Sequence, residues 1–419
     1  MWCIFQLVFT AIHPSDEVKK FHRIRNCMFL SGLSVFAQLY LFQPMLSDLC
    51  RSFQVDLPTS SLAVSTSTIG MAAGLLFFAF KADAFRREKL MGMALLLSSL
   101  LTIASSFITG FMWLLVINFL KGFALSGVSA VALAYLTDEV DRSVIGLAIS
   151  LYLSGNTIGG MSGRVASTLL SGWGGWQYAA ALIGLVSLLL GYIFVRKIPA
   201  SQHNIRRKLS VRQQVNQMKI LLGQPVFLRM YGIAALSMGT FVSVYNYLSI
   251  LLESPSFGLP HQWVAMIFMM YITGVAGSIV TGTLSDRYRP EVLLQTSLLL
   301  MCIGLSLLWI QQLVAIIVGL GIFTFAFFSA HTMASRIVSI HAGEAKSSAT
   351  SIYWLFYYAG SSLLGSLTGI ILSQYGWNIF VGVLLILLMM ALATSFHAVY
   401  YRMSWALKKL SFQKYVKVN

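Results

Sequence analysis

GTLSDRYR, at residues 282–289, separates two long apolar runs in the second half of this 419-residue chain. A related stretch, AFKADAFRR, separates two apolar runs in the first half, at residues 79–87. The two stretches align so that Asp83 matches Asp286, 203 residues further on. A segment that recurs after about half the chain length indicates an internal repeat.

Other segments recur at nearly the same spacing. SLYLSGNTIGG at residues 150–160 resembles SIYWLFYYAGS at residues 351–361. Three pairs of residues match at an offset of 201, namely Tyr152 with Tyr353, Gly159 with Gly360, and Trp176 with Trp377. We therefore expect two halves of the same architecture.

The basic residues alternate along the chain. Of the 29 Lys and Arg, all but Arg51, Lys121 and Arg164 lie in the two tails or in every second connection between apolar runs, counting Arg25, Lys81 and Arg229 at the run ends that border them. A chain that crosses a bilayer repeatedly acquires this pattern, because Lys and Arg concentrate in cytoplasmic loops. The sequence thus predicts a multi-pass membrane protein with both termini in the cytoplasm.

The composition supports a membrane protein and excludes other classes. The chain is 57% hydrophobic and 10% charged, whereas soluble proteins carry about 25% charged residues. Its net charge of +16 is spread along the membrane-flanking loops, where anionic lipid attracts it, so we expect membrane lipids as partners and no nucleic acid. The four Cys are scattered, which predicts neither a metal site nor a disulfide framework.

Twelve apolar runs are long enough to cross a bilayer, which takes about 20 residues. We number them spans 1 to 12: residues 24–46, 61–81, 90–108, 111–136, 143–171, 176–195, 226–252, 261–284, 291–311, 313–335, 347–373 and 377–400. The predicted domains are a basic tail at 1–23, a six-helix bundle at 24–195, a basic linker at 196–225, a second bundle at 226–401 and a basic tail at 402–419. Within the linker, residues 210–222 form either a short surface helix or part of a solvated loop.

The loop after span 8 resembles the signature loop of the major facilitator superfamily, Gly-x-Leu-Ser/Ala-Asp-Arg-x-Gly-Arg. The loop after span 2 keeps Asp83 but has Ala79 for the first Gly and Ala84 for the Arg. The resemblance implies an all-α membrane protein whose 12 transmembrane helices form two pseudo-symmetric six-helix bundles. It also implies the usual monomer.

The same resemblance implies a conformational gate at the cytoplasmic ends of the helices, formed by Asp83, Asp286 and Arg287. A carboxylate at a helix end can pair with an Arg or with helix N-terminal amides in one conformation and release them in another. The alternative is a helix-end charge that only fixes the topology.

Span 5 carries glycines on one helical face. Gly155, Gly159 and Gly163 are spaced four apart, which lets another helix approach closely. With Gly160 the run resembles the antiporter motif of exporters in the superfamily, although Gly160 replaces its Pro and Arg164 its last Gly. The resemblance implies an efflux permease of the bacterial inner membrane, and a plain packing face is the alternative.

Span 4 contains a cation at membrane depth. Lys121 lies roughly 15 Å from the outer end at 1.5 Å per residue. A charge there costs about 2.5–3.5 kcal/mol on insertion scales, so Lys121 should face a cavity or a polar partner. Superfamily members often carry Arg-x-x-Gln-Gly here, with the Arg implicated in proton coupling, but this chain has Asn118 at that Arg position. Arg164 is shallower, at about 10 Å.

Candidate groups for coupling and binding are few. All 13 Asp and Glu fall in tails, loops or span ends. The titratable candidates are therefore Lys121 and His331 within spans, with a packed histidine as the alternative, and the span-end residues Asp48, Glu253, Asp138 and Glu139. Spans 1, 4, 7 and 10 line the cavity in this superfamily. That implication favours Gln38 of span 1, over its neighbours Tyr40 and Gln43, and Tyr245 and Asn246 of span 7.

These observations predict a secondary active transporter that exports a small organic solute, drug-like or sugar-like, by alternating access and with proton coupling. The alternative is a facilitator or exchanger for organic anions, because Lys121 and Arg164 are intramembrane cations and no carboxylate lies in mid-span. The chain has no nucleophile elbow, zinc-binding His-Glu-x-x-His or phosphate-binding glycine loop, so neither an enzyme nor a cofactor is expected.

Overall fold

A computed structural model describes residues 16–81, 85–141, 144–201 and 211–416 of the chain, with side-chain packing as far as residue 396. Asp83 of the predicted gate lies outside the described residues. In this part of the chain all the regular secondary structure is helical. The predicted all-α class is therefore confirmed.

The helices of the first half follow the predicted spans closely. Their bounds are Asp16–Leu39, a 3-10 turn Gln43–Met45 and Leu46–Phe53 for span 1, then Leu57–Lys81, Arg87–Ser105, Phe111–Glu139, and Ile145–Lys197 for spans 5 and 6 together. Span 1 is thus interrupted where the sequence predicts one continuous run. Pro44 occupies the interruption, and proline removes a backbone donor that a continuous helix needs.

The second half begins with the short helix Val211–Leu222 of the linker. Span 7 follows at Pro225–Glu253, and span 8 consists of His261–Val264, a 3-10 segment Ala265–Met270 and Tyr271–Leu284. The remaining helices are Pro290–Leu307, Leu313–His341, a 3-10 turn Gly343–Ala345, and Lys346–Val416 for spans 11 and 12 together. The last helix extends beyond the predicted end of span 12 at residue 400.

Ten helices of the described residues are long and apolar enough to cross a membrane. Two of them, with 51 and 49 residues, are more than twice the length that one crossing needs, about 20 residues. Each is broken at one glycine with positive φ, Gly175 at 81° and Gly376 at 76°, a conformation that L side chains rarely adopt. Counting each broken helix as two spans gives the twelve predicted crossings.

The residue after each break also matches between the halves. The indole Nε1 of Trp176 donates a hydrogen bond to Ser52 Oγ at 3.0 Å, and that of Trp377 donates to the Leu308 carbonyl oxygen at 2.9 Å. Both rings are buried. Each indole fixes the second helix of its broken pair, but Ser52 belongs to span 1 and Leu308 follows span 9, so the two partners are not in corresponding spans.

The glycine face of span 5 lies against span 1. A Cβ at Gly163 would lie 2.5 Å from Ala37 Cα, and Gly155 and Gly159 meet the backbone of span 1 in the same way. In the second half, a Cβ at Gly360 of span 11 would lie 2.5 Å from Ala235 Cα of span 7. Close glycine contact therefore joins the corresponding pair of helices in each half.

We call the two ends of the bundle the basic end, where spans 2, 4, 6, 8 and 10 finish, and the opposite end. At the basic end the buried carboxylate of Glu139 accepts hydrogen bonds from Lys20 Nζ at 3.0 Å and Ser201 Oγ at 2.9 Å. Beside it, Asp138 pairs with Arg87 at the start of span 3. These bonds tie the end of span 4 to spans 1 and 3 and to the chain after span 6.

Candidate functional site between the two halves

Among the described residues two pairs of helices join the halves, span 2 with span 11 and span 5 with span 8, and a bond between spans 1 and 7 links them further. Ser65 Oγ donates to the Ser362 carbonyl oxygen at 2.9 Å and lies 2.7 Å from Ser366 Oγ. Thr68 Oγ1 lies 2.6 Å from Ser362 Oγ. This contact consists of hydroxyls and backbone carbonyls and carries no charge.

The second pair is span 5 with span 8, and it contains Arg164. The side chain is 3% exposed, although it carries a positive charge. Its guanidinium carbon lies 4.7 Å from the ring centre of Tyr271 and 5.9 Å from that of Phe268, both of span 8. It lies 4.3 Å from the ring centre of Tyr40 in span 1. The charge is thus enclosed by three aromatic rings from both halves, an arrangement that stabilises a desolvated cation.

Hydrogen bonds extend from Arg164 across the molecule. Its Nε donates to Gln43 Oε1 at 2.6 Å and its Nη1 to the Gly160 carbonyl oxygen at 2.6 Å. Gln43 Nε2 donates to Asn246 Oδ1 at 2.8 Å, and Asn246 Nδ2 donates to the Gly365 carbonyl oxygen at 3.2 Å. We call Arg164, Gln43 and Asn246 the polar bridge.

Gln43 and Asn246 are 203 residues apart, the same offset that relates Asp83 to Asp286. In spans 1 and 7, however, the equivalent glycine contacts align Leu33 with Ala235 at an offset of 202, so Gln43 and Asn246 are one position out of register where they meet between the halves. Among the described residues no carboxylate pairs with Arg164, so its positive charge is balanced by carbonyl oxygens and ring faces. A buried cation of this kind can serve as a latch or can attract an anion.

The polar bridge lies nearer to the opposite end than to the basic end. Arg164 precedes the Gly175 break by roughly 15 Å of helix, and Asn246 precedes the end of span 7 by about 10 Å. Phe268 and Tyr271, which contact Arg164, both lie in the first half of span 8. These contacts close the molecule on that side.

Lys121 is placed inside the first half. It is fully buried, its Nζ donates to Asn118 Oδ1 at 2.7 Å, and it lies 4.9 Å from the ring centre of Phe42. Gln38 is also buried there, donating to Ser34 and accepting a hydrogen bond from Thr102 Oγ1 at 2.8 Å. The structure thus brings Arg164 and Asn246 together through Gln43, and it leaves Lys121, Asn118 and Gln38 within the first bundle.

Tyr245 lies beside the polar bridge, within the second half. Its hydroxyl is 2.8 Å from Thr324 Oγ1, and its ring lies 5.1 Å from Tyr271 and 5.7 Å from Phe268 between ring centres. The two rings of span 8 that enclose Arg164 therefore rest on Tyr245. Tyr245 therefore contributes to the site by packing against these two rings.

His331 lies in a separate cluster formed by spans 10 and 11. Its Nδ1 is 2.8 Å from the Tyr353 hydroxyl, and its ring centre lies 4.9 Å from Tyr357 and 5.3 Å from Trp354. Phe327 stacks below it at 6.2 Å, with an angle of 16° between the rings. The histidine thus borders an aromatic cleft and not the polar bridge.

At the basic end the described part of the predicted gate pairs within one half. The carboxylate of Asp286 is 73% exposed and lies 3.4 Å from Arg336 Nη2 of span 10, and Arg336 also bonds Ser285. Arg287 is exposed, and its side chain forms no hydrogen bond or ion pair with a described residue. The side chains of Asp286 and Arg287 thus make no bond to the described part of the first half.

Three residues of the site were not among the favoured candidates of the sequence. Gln43, Tyr40 and Tyr271 complete the surroundings of Arg164. Periodicity alone does not distinguish Gln43 from Gln38, because the break in span 1 turns the chain between them. No sequence signal singles out Gln43, because its partner Asn246 lies in the other half.

Twelve helical crossings in two like bundles, with buried polar groups where the bundles meet, define a membrane transporter. Comparison with known proteins gives the family: the family description "Major Facilitator Superfamily" matches residues 28–364. The chain belongs to the major facilitator superfamily. It is thus a multi-pass membrane transporter and not an enzyme, as predicted.

The chain is similar to two bacterial relatives over most of its length. It is 34% identical over 373 residues to the uncharacterized MFS-type transporter YybF of Bacillus subtilis (strain 168), covering 89% of this chain and 92% of the relative. It is 34% identical over 374 residues to the inner membrane transport protein YnfM of Escherichia coli (strain K12), covering 87% and 88%.

The fold also matches solved structures. A bacterial homolog of the human lysosomal transporter Spinster, in an inward-facing and occupied conformation, superposes with a TM-score of 0.76 at 13% identity. The match covers 93% of this chain and 98% of that one. The two-bundle architecture is therefore that of a solved transporter.

Proposed function

We propose that this transporter exports a small organic solute from the bacterial cytoplasm by alternating access, coupled to proton entry. The observation that carries the proposal is the polar bridge, which joins the halves on one side of the molecule only. Breaking those bonds while closing the basic end would move the opening from one membrane face to the other. The bridge therefore acts as the outer latch.

The direction follows from topology. The positive-inside rule places the basic end, with its Lys and Arg, in the cytoplasm. The state with the opposite end closed then receives solute from the cytoplasm. The glycine face that packs span 5 on span 1 supports export, because it is the part of the chain that resembles the motif of exporters.

Proton coupling needs a group that titrates within the membrane. Among the described residues, the Asp and Glu side chains lie at span ends or in connections, as Glu139 and Asp286 do. Lys121 and His331 are the remaining titratable side chains of mid-span regions other than Tyr, Cys and Arg164. We assign the coupling role to one of these two.

Transport by everted membrane vesicles tests this proposal. Vesicles turn the cytoplasmic face outward, so an exporter accumulates solute inside them when respiration acidifies the lumen. We expect uptake of a dye or sugar that depends on the gene and stops when a protonophore collapses the gradient. Uptake that does not change with the protonophore contradicts proton coupling. Uptake by right-side-out vesicles alone contradicts export.

Exchange of organic anions is the second candidate function. Lys121 and Arg164 are buried cations that no described carboxylate neutralises. An anionic solute passing between the halves would find both charges within the bundle. Lys121→Gln should then abolish anion flux in reconstituted vesicles, whereas a full flux in this variant contradicts the anion hypothesis.

A further inference from the structure

A small cleft opens in the second half between spans 7, 10 and 11. Aliphatic and aromatic side chains line it, together with one serine and one histidine. The lining consists of Ile233, Ala234, Ser237, Phe327, Ala330, His331, Ala334, Tyr353 and Tyr357. The cleft has room for about one water molecule. It is therefore too small for an organic solute, and water is the ligand that its size admits.

The cleft lies nearer to the basic end than to the opposite end. His331 precedes the end of span 10 at His341 by about 15 Å of helix and follows its start at Leu313 by about 27 Å. Ser237 follows the start of span 7 at Pro225 by about 18 Å. The shorter route for a proton from the cleft to solvent thus leads to the basic end.

The hydrogen bonds of His331 determine which of its ring nitrogens is basic. The Tyr353 hydroxyl oxygen lies 2.8 Å from His331 Nδ1 and 3.4 Å from the His331 carbonyl oxygen. Because the hydroxyl donates its proton to that carbonyl, its oxygen accepts a hydrogen bond from Nδ1–H. The other nitrogen of a neutral imidazole then carries the basic lone pair. This nitrogen, Nε2, forms no hydrogen bond with a described residue.

Ser237 supplies a second polar atom to the cleft. Its side chain is 4% exposed, and its Oγ has no hydrogen-bond partner among the described residues. A buried hydroxyl without a partner is costly, and a water molecule beside it removes that cost. A buried water needs about two to four polar partners, and Ser237 Oγ and His331 Nε2 supply two of them. The cleft thus suits a water in contact with the basic nitrogen.

The rings around His331 accept the imidazole in both charge states. Phe327 is stacked on it at 6.2 Å with an angle of 16° between the rings. The rings of Tyr357 and Trp354 lie 4.9 and 5.3 Å from it between centres. Such faces pack against a neutral imidazole, and they attract an imidazolium through cation–π interactions. The surroundings therefore let the ring gain and lose a proton.

A proton on His331 brings a charge without a counter-charge into the cleft. The titratable groups that face the ring are Tyr353 and Tyr357 of span 11, and span 7 contributes Ile233, Ala234 and Ser237. The described lining holds no Lys, Arg, Asp or Glu. Burying an unpaired charge is costly, whereas hydrating it is not. A protonated His331 therefore favours leaving the arrangement in which the opposite end is closed and the cleft admits about one water.

Lys121, the other candidate for the coupling role, has different surroundings. Its side chain is fully buried, and its Nζ donates a hydrogen bond to Asn118 Oδ1 at 2.7 Å. The centre of the Phe42 ring lies 4.9 Å from the same nitrogen. An acceptor oxygen and a ring face are the contacts of a bound cation. His331, in contrast, presents a lone pair to a water-sized space.

We infer that Nε2 of His331 is the proton-binding site of the transporter, and that one water held by Ser237 Oγ carries the proton. With the opposite end open, Nε2 takes a proton from the outer side. With that end closed, the N–H bond at Nε2 breaks and the proton passes through the water to the cytoplasm. The neutral ring keeps its Nδ1–H bond to Tyr353. The inference rests on the proposed function, because it decides which of Lys121 and His331 has the coupling role.

The pH dependence of the closed state tests this inference without any solute. The measurement is the distance between spin labels at Arg51→Cys and Ser256→Cys, exposed at the opposite end, in purified full-length protein in detergent micelles. Since the protonated ring favours the open arrangement, the population of the closed state should fall at least about threefold between about pH 8 and pH 5. His331→Gln keeps a polar side chain without a titrating nitrogen, and it should abolish this fall.

His341→Gln is the matched control. His341 lies on the same helix, at the basic end, and its Nδ1 is 2.8 Å from the Ile337 carbonyl oxygen of that helix. The fall in the closed population should persist in this variant. Ser237→Ala keeps the histidine but removes a partner of the water, so it should reduce the fall. Thermal unfolding of each variant verifies that it is folded.

Nitrogen-15 NMR of the full-length protein with labelled histidine tests the basic atom directly. The resonances of His331 are those that disappear in His331→Gln. We expect a protonated Nδ1 and a bare Nε2 at about pH 8, because Tyr353 accepts from Nδ1–H. Tyr353→Phe removes that acceptor, and the ring should then lose its preference for this tautomer.

Several results overturn the inference. These are a closed population that does not change with pH, a pH response that survives in a folded His331→Gln protein, and a His331 ring protonated at Nε2 in its neutral form. An unchanged response in Ser237→Ala overturns the part played by the water. Export that depends on the proton gradient, with a pH response that survives in His331→Gln, refutes only this inference. Export without gradient dependence, with the response lost in His331→Gln, refutes only the coupling in the proposed function.

Discussion

The two contacts between the halves occupy matching positions in the repeat but differ in chemistry. At an offset of 203, Ser65 and Thr68 of span 2 correspond to Phe268 and Tyr271 of span 8. At an offset of 201, Arg164 corresponds to Gly365. The two helix pairs thus hold equivalent places in the architecture. One pair meets through hydroxyl groups, and the other meets through an arginine enclosed by aromatic rings.

This difference separates the mechanical roles of the two contacts. Hydroxyls exchange a protein partner for water at small net free energy, about 0.5–1.5 kcal/mol per bond. When the halves part, the guanidinium of Arg164 must leave the rings of Phe268 and Tyr271, and it then regains water. Its other contacts, with Tyr40, Gln43 and Gly160, lie within its own half. We expect the span 2–span 11 contact to slide and the span 5–span 8 contact to switch.

Removal of the arginine should have the largest effect. Arg164→Ala eliminates the desolvated contacts with the rings of Phe268 and Tyr271 in the other half, which are worth up to about 2 kcal/mol. We expect the closed state of the opposite end to lose at least tenfold in population. The distance between spin labels at Arg51→Cys and Ser256→Cys, which are exposed at that end, should lengthen.

Arg196→Ala is the matched control for that measurement. The guanidinium of Arg196 lies 5.2 Å from the ring centre of Tyr192, but both residues are exposed and belong to one helix. The cation–π geometry is similar, and no contact between the halves is involved. Equal distance distributions in the two variants would show that Arg164 is not the latch.

A glycine substitution should move the arginine without removing it. In Gly163→Ala the new Cβ would lie 2.5 Å from Ala37 Cα, so span 5 must shift away from span 1. Overpacking of this kind costs about 1–3 kcal/mol, and it displaces Arg164 from Tyr40. We expect a lower temperature of thermal unfolding and a partial lengthening of the label distance.

Gly232→Ala of span 7 is the comparison for this variant. Nothing lies within 4 Å of the position that its Cβ would take. Alanine is also a better helix former than glycine, by about 1 kcal/mol. An unfolding temperature that falls as much in Gly232→Ala as in Gly163→Ala would remove close packing as the cause.

The sequence predicts those features of the two contacts that depend on local interactions. The spans, the repeat and the small-residue face of Gly155, Gly159 and Gly163 follow from periodicity and spacing, and the structure reproduces the packing that they predict. Helix geometry also gives a depth for Arg164, about 10 Å, which becomes roughly 15 Å because span 5 runs on to Gly175, beyond its predicted end at residue 171. These features need only the rise of a helix and the thickness of a bilayer.

The partners of Arg164 are not readable in that way. They depend on how two bundles meet, which no single helix encodes. Gln43 reaches Asn246 because span 1 is broken around Pro44, where the 3-10 turn redirects the side chain. Gln38, five residues earlier on the regular helix, is instead satisfied by Ser34 and Thr102.

Removing the hydrogen bond between Gln43 and Asn246 should have an intermediate effect on the population of the closed state. A double-mutant cycle with Gln43→Leu and Asn246→Leu should show a coupling free energy of about 1 kcal/mol in the closed population, because each amide satisfies the other. Gln38→Leu is the control, since it removes hydrogen bonds inside the first half only. Its label distance should stay unchanged even where its stability falls. Additive single variants would mean that the bridge is not continuous.

Breaking the hydroxyl contact between spans 2 and 11 should change the population of the closed state least. Ser362→Ala removes the bond to the Ser65 carbonyl at 3.1 Å and the contact with Thr68 Oγ1, but water can replace them as the helices part. We expect the population of the closed state, read from the label distances, to change by less than fivefold. Ser373→Ala, which removes an exposed hydroxyl bonded only to the Ile370 carbonyl oxygen, should cause no change. If Ser362→Ala opened the opposite end as far as Arg164→Ala does, both contacts would be latches, and the division into a sliding and a switching side would be wrong.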